Sequence, residues 1–119
     1  GVEPNEEVVD LAKYINELPS LALGGIFTHA GHAYGAKSFT ELEKIARDEA
    51  NAVLQSAALC EAEGIKITHK SIGSTPTFKI AGAVEGINEI RPGNAAFYDM
   101  TQFSLGVAEK DQCALTVGT

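Results

Sequence analysis

The sequence predicts an α/β fold in which three or four parallel β-strands alternate with helices. Three observations predict it. Apolar residues recur at helical spacing from Val8 to Leu18 and again from Leu42 to Cys60. Between and after those stretches lie short apolar runs, the first of them unbroken rather than alternating, as in a strand covered on both faces. The two later runs each end in a glycine-centred turn, Ser71 to Thr77 and Arg91 to Asn94. Alternation of this kind folds as right-handed βαβ units with parallel pairing.

In order, Asn5 is placed to cap a first helix, with Glu6 and Glu7 at the positive end of its dipole. Val8, Leu11, Ala12, Ile15 and Leu18 form its apolar face, and Pro19 ends it. Leu21 to Phe27 reads as the first strand, where Gly24 and Gly25 imply a bulge or close backbone packing. A polar loop carrying His29, His32 and Tyr34 follows. Ser38 and Glu41 then form a capping box for the longest element, about 25 residues or roughly 37 Å of helix. Gly64 is a natural residue just past its end. Ile65 to Ser71 reads as the second strand, Phe78 to Val84 as a short helix or irregular turn, and Ile87 to Ile90 as the third strand. Phe97, Met100, Phe103 and Leu105 keep near-helical spacing, and Cys113 to Val117 reads as a final strand.

The totals bound what such a chain does. Its 119 residues make one compact domain around one core, with no repeat, linker or low-complexity segment. A net charge of −7 and a pI near 4.8 leave no basic stripe for nucleic acid. The longest apolar run is far short of the roughly 20 residues of a membrane span, and Gly1-Val2-Glu3 does not begin like a signal peptide. Cys60 and Cys113 stand alone and read as two buried thiols of a reducing compartment. The expectation is a soluble cytoplasmic chain.

The two glycine turns are the candidate site. A strand that delivers Gly, Ser and Thr at its C-terminal end presents N–H groups and hydroxyls to an anion. Two such turns on neighbouring parallel strands can converge on one phosphate; equally, Gly73 and Gly93 can serve tight turns alone. His29 and His32 have no companions at metal-ligand spacing, so no metal is assigned. A histidine at a strand's C-terminal end is better placed to pack on a flat ring or exchange protons, as is Tyr34, unless both are ordinary loop residues. Arg91 ends a strand expected to be buried and so needs an anionic or ring-nitrogen partner, or an ion pair with Glu89 or Asp99. Alternation puts His69 and Lys70 on opposite faces, which argues against Lys70 as a covalent lysine.

These stretches resemble a known family. Gly24-Gly25-Ile26-Phe27-Thr28-His29-Ala30-Gly31-His32-Ala33-Tyr34, then Ser71-Ile72-Gly73-Ser74-Thr75-Pro76-Thr77, then Glu89-Ile90-Arg91-Pro92-Gly93-Asn94 with Phe97-Tyr98-Asp99 resemble, in order and spacing, the D-threonine aldolase and D-serine dehydratase group. That group belongs to the alanine-racemase-type, fold type III enzymes that use pyridoxal 5′-phosphate (PLP). The resemblance implies a partial TIM barrel, with residues 1–119 a single middle fragment and 113–119 the start of a C-terminal β-domain. It implies His29 against the pyridine ring and Ser71, Gly73, Ser74 and Thr75 in one phosphate loop. Gly93 and Asn94 follow in the other, with Arg91 facing the ring nitrogen and Tyr34 at ring or substrate. It also implies that the lysine bonded to the cofactor, and the ligands of any divalent metal, lie in segments this sequence lacks; a full barrel takes about 250 residues. The expected parent is a lyase or racemase acting on a D-amino acid, homo-oligomeric, and inactive as this fragment. The rival expectation is a non-catalytic α/β module that self-associates through exposed edges.

Overall fold

Three short parallel strands and four α-helices make up the computed structural model, which describes residues 1–118. Helix α1 (Glu6–Glu17) starts where Asn5 Oδ1 accepts the Glu7 N–H at 2.8 Å, and stops at Leu18, before Pro19. It lays Val8, Val9 and Ala12 against Ala57 and Cys60 of α2 and against Ile65 and Ile67. Helix α2 (Phe39–Ala62) runs 24 residues and touches α1, α3 and the first two strands. Ser38 Oγ accepts the Glu41 N–H at 3.2 Å, but the Glu41 carboxylate reaches one residue further back than a capping box requires, to the Lys37 N–H at 2.7 Å. Past the helix end Gly64 takes a φ of +78°, open to glycine at little cost. Along the buried side of α2, Ala46, Ala50 and Ala57 are small enough to let sheet and helices approach closely.

Strands β1 (Gly25–Phe27), β2 (His69–Ile72) and β3 (Glu89–Ile90) form one parallel sheet in that order. Gly25 stands opposite His69, Phe27 opposite Ser71, and Ser71 opposite Glu89. A Cβ on Gly25 would lie 2.2 Å from the His69 carbonyl oxygen, which is the close backbone approach expected of the paired glycines. Side chains alternate across the pleat. Ile26, Lys70 and Ile72 share one face; Ile26 and Ile72 pack into the core, and Lys70 reaches Glu61 of α2 at 2.9 Å. Phe27, His69, Ser71 and Glu89 share the other. No helix covers that face among the described residues, and Phe27 is 71% exposed. The expectation of strands buried on both faces is corrected accordingly. Helices α3 (Phe78–Ala81) and α4 (Met100–Ser104) are one turn each.

The strands are shorter than their apolar runs. Upstream of Gly24 the chain turns, with the Leu21 N–H on the Leu18 carbonyl, so Ile65 and Ile67 find core but no ladder. Asn88 takes over part of the β2–β3 ladder by side chain: its Oδ1 accepts the Lys70 N–H and its Nδ2 donates to the Thr68 carbonyl. The final strand is absent: residues 113–118 pair with no strand, and Leu115 is 86% exposed. Apolar composition without a neighbouring strand makes no sheet; residue 119 lies outside the described residues. Cys60 is buried and its thiol pKa is raised by that burial, whereas Cys113 is only partly buried, which corrects half of the thiol expectation. The Cα radius of gyration, 16.7 Å, exceeds the roughly 13.5 Å of a compact domain this long. The chain is an open wedge of sheet and helices, 58 × 31 × 21 Å.

Candidate functional site

All three strands end on the same side, and Arg91 gathers those ends. Its Nε donates to Ser71 Oγ at 2.9 Å, its Nη2 donates to the Thr28 carbonyl at 2.7 Å, and its guanidinium lies over the Phe27 ring, 4.8 Å from the centroid. Gly73 passes directly beneath, where a Cβ would sit 2.9 Å from the guanidinium atoms. The Ser71 hydroxyl donates to Glu89 Oε1, and Glu89 Oε2 lies 3.5 Å from His69 Nδ1. Ser71 is thus a link between Arg91 and Glu89, with its proton and lone pair already used. Arg91 keeps 39% of its side chain exposed. The expected burial fails because β3 is an edge strand with an uncovered face. Its direct approach to Glu89 is 3.9 Å, and Asp99 bonds instead to Asn94 Nδ2 at 2.6 Å.

The two glycine turns meet. Thr75 Oγ1 accepts the Asn94 N–H at 3.0 Å, joining the loop after β2 to the loop after β3. The first loop is buried from Ser71 to Thr77. It closes on the Ser74 carbonyl, which accepts the N–H groups of Thr77 and Phe78 at 3.2 and 3.1 Å. Ser74 Oγ, in contrast, is buried with no hydrogen-bond partner. Such an orphan costs about 1–3 kcal/mol unless a water or a ligand meets it. The second loop is more open: nothing lies within 4 Å of where a Gly93 Cβ would be. Asp99 braces it. Its carboxyl is held below the usual range by the Gln102 N–H first, then by the Asn94 amide and Thr101.

Ser71, Gly73, Ser74, Thr75, Arg91, Gly93 and Asn94 therefore lie together at one sheet end. His29 follows Thr28 at that end and is exposed. Tyr34 sits in a 3₁₀ turn (Gly31–Gly35), and no hydrogen bond among the described residues joins it to the others. His32 is exposed in the same turn, and among the described residues no three His, Cys, Asp or Glu side chains group to hold a metal. A groove of about 530 Å³ runs along the β1 edge and α1, with Val8, Leu11, Leu23 and Ile26 in its walls. Its apolar lining suits packing; Phe27, Thr28 and His29 bring one end of it to the strand ends, where the loops define the candidate site. Sequence reasoning missed Glu49, buried on α2 and bonded to both Ala30 and Thr77. The signal was a carboxylate standing in the stripe of Leu42, Ala46, Ala50 and Val53. It missed Gln102 as well, fully buried with its side-chain amide unpartnered.

No helix among the described residues is long and apolar enough to cross a membrane. Residues 1–101 match the family described as alanine racemase, N-terminal domain. The chain is 34% identical over 97 residues to D-threo-3-hydroxyaspartate dehydratase of Delftia sp. (strain HT23), covering 82% of this chain and 26% of that protein. It is 36% identical over 86 residues to D-serine dehydratase of Dictyostelium discoideum, covering 69% of this chain and 22% of that protein. The Delftia enzyme's structure superposes with a TM-score of 0.87 at 28% identity, over 96% of this chain and 30% of that one. D-threonine aldolase of Filomicrobium marinum shares the fold, with a TM-score of 0.78 at 24% identity over 85% of this chain and 27% of that one. The chain thus spans about a quarter of the length of these curated relatives, and its three strands are part of a barrel domain. It belongs to the alanine racemase N-terminal domain family, a fold type III, PLP-dependent family.

Proposed function

We propose that this chain is the phosphate- and ring-holding segment of a PLP-dependent lyase or racemase acting on a D-amino acid. One observation carries the reading: the Thr75–Asn94 bond joins the two loops beside a buried Ser74 hydroxyl that lacks a partner. A phosphate seated there takes the Ser74 O–H and the Gly93 N–H. Thr75 and Asn94 hold the loops in register, since the Asn94 N–H is already given to Thr75. Arg91, fixed by Ser71 and the Thr28 carbonyl, turns its remaining donors toward the ring nitrogen, and His29 packs on the ring face. Tyr34 borders ring or substrate. Bound PLP supplies an electron-withdrawing ring that stabilises charge at an amino acid's Cα.

The lysines nearest the loops are occupied, Lys70 with Glu61 and Lys79 with the Val107 carbonyl, each at 2.9 Å. The chain alone therefore orients the cofactor without bonding to it and shows no turnover. A divalent metal in the parent protein would be held by residues outside this chain. Amide spectra of the 119-residue chain titrated with inorganic phosphate and then PLP test the reading. Ser74, Thr75, Gly93 and Asn94 shift with both ligands, His29 and Arg91 with PLP alone. Unmoved Ser74 and Gly93 amides reject the assignment. Borohydride after PLP leaves no stoichiometric lysine adduct; an adduct with lyase activity overturns the predicted inactivity.

A second reading has its own support. Phe27, Phe97, Leu115 and Val117 are exposed, and β1 and β3 are open edges among the described residues. The chain then assembles with copies of itself, as the homo-oligomeric parent would. Sedimentation showing a monomer at high micromolar concentration removes that reading.

A further inference from the structure

Glu49 is a buried carboxylate in a mostly apolar helix face. It lies in the stripe of α2 with Ala46, Ala50 and Val53 that packs on the sheet, and it is 5% exposed. No cation pairs with it among the described residues. Desolvating a carboxylate costs several kcal/mol, so helix packing alone does not account for it. Its two oxygens serve different loops. One accepts the Ala30 N–H at 3.2 Å, directly after His29. The other accepts the Thr77 hydroxyl at 2.5 Å, and the Thr77 N–H closes the turn on the Ser74 carbonyl. One buried side chain thus spans the loop after β1 and the loop after β2.

We propose that Glu49 is a positioning residue for the cofactor site, setting the spacing between the His29 loop and the Ser74 turn from behind. The ring-facing histidine and the phosphate-facing hydroxyl are then placed before any ligand arrives, and binding does not have to order them. A carboxylate serves better than an amide because it accepts from both partners with charge; glutamine would keep one acceptor oxygen for the Ala30 N–H and donate to the Thr77 hydroxyl, whose proton would then have only the Ser74 carbonyl, at 3.3 Å. The inference rests on the cofactor reading above.

Three variants test it: Thr77→Val, which removes the hydroxyl at nearly constant shape, Thr77→Ser, which keeps it, and Glu49→Gln. Without ligand, Thr77→Val moves the Ala30 amide resonance, to which Thr77 is joined through the Glu49 carboxylate, and Thr77→Ser leaves it in place. With PLP as the probe, Thr77→Val and Glu49→Gln bind about tenfold more weakly than wild type, the size of a lost hydrogen bond to a charged group. Thr77→Ser binds like wild type, and circular dichroism is unchanged throughout. An unmoved Ala30 amide, or wild-type affinity in Thr77→Val, overturns the role of Glu49 while leaving the cofactor reading intact. Absence of PLP and phosphate binding by the wild-type chain overturns the cofactor reading, and this role with it.

Discussion

The two glycine loops are alike in composition and opposite in support. The loop after β2 is buried from Ser71 to Thr77 and is held from below by Ile72, in the cluster with Ala46, Ala50, Val53 and Ala81, and from behind by Glu49. The loop after β3 is exposed or half-exposed throughout, on an edge strand two residues long. It leans on the first loop through Thr75 and on its own downstream turn through Asp99. The fold therefore builds one rigid wall and one hinged wall around the same space. The difference teaches that the second loop's position is inherited from the first.

Breaking the rigid wall has the largest effect. Ile72 is fully buried, so Ile72→Ala costs about 2–5 kcal/mol in urea unfolding, with hydrogen-exchange protection lost from Ser74 to Thr77. A cost below about 1 kcal/mol would mean the first loop is not anchored by that cluster. Cutting the bond between the walls comes next. Thr75→Val removes the acceptor for the Asn94 N–H and costs about 1 kcal/mol, with faster exchange at Asn94 and little change at Thr77. Unchanged Asn94 exchange would show the second loop standing by itself.

The same contrast explains what the sequence made legible. The helix ends at Asn5, Ser38 and Gly64 were readable because each depends on residues a few positions apart. The convergence of the two loops was readable because parallel strands end side by side. Strand lengths were not: Ile65 and Ile67 look like strand residues, yet pairing depends on a partner segment that turns away at Leu18 to Leu21. Arg91 was expected to be buried, a property of the sheet face that no local pattern encodes. Glu49 was hidden for a related reason. A carboxylate on a helix reads as solvated until the burial of its stripe is known, and its partners, Ala30 and Thr77, lie far off in sequence on either side.

The hinged wall should be sensitive to acid through Asp99. The folded pKa of Asp99 lies below its unfolded value, so its contribution is complete above about pH 4 and is lost as pH falls through the folded pKa. As pH falls below about 4 and through that folded pKa, the Thr101 and Gln102 amides and the Asn94 side chain should shift together, as protonation weakens their shared acceptor. Asp99→Asn should bring Asn94 to its low-pH position at neutral pH. Independent titration of Asn94 and Gln102 would show that Asp99 does not couple the loop to α4.

The smallest effect on stability belongs to Gly93, and it sharpens the comparison most. Gly73→Ala drives its new methyl to 2.9 Å from the Arg91 guanidinium, which must swing away from Ser71 and Thr28. That loses hydrogen bonds worth about 1 kcal/mol each. Gly93→Ala meets nothing within 4 Å, and its φ is outside the left-handed region, so unfolding free energy should stay within about 0.5 kcal/mol of wild type. Phosphate affinity should nonetheless fall, because the methyl crowds the approach to the Gly93 N–H from the open side. Wild-type stability with weakened phosphate binding places the ligand against the hinged wall. Wild-type values for both would mean that the space beside Gly93 is empty by accident of the fold, and that the anion, if it binds, is held by the first loop alone.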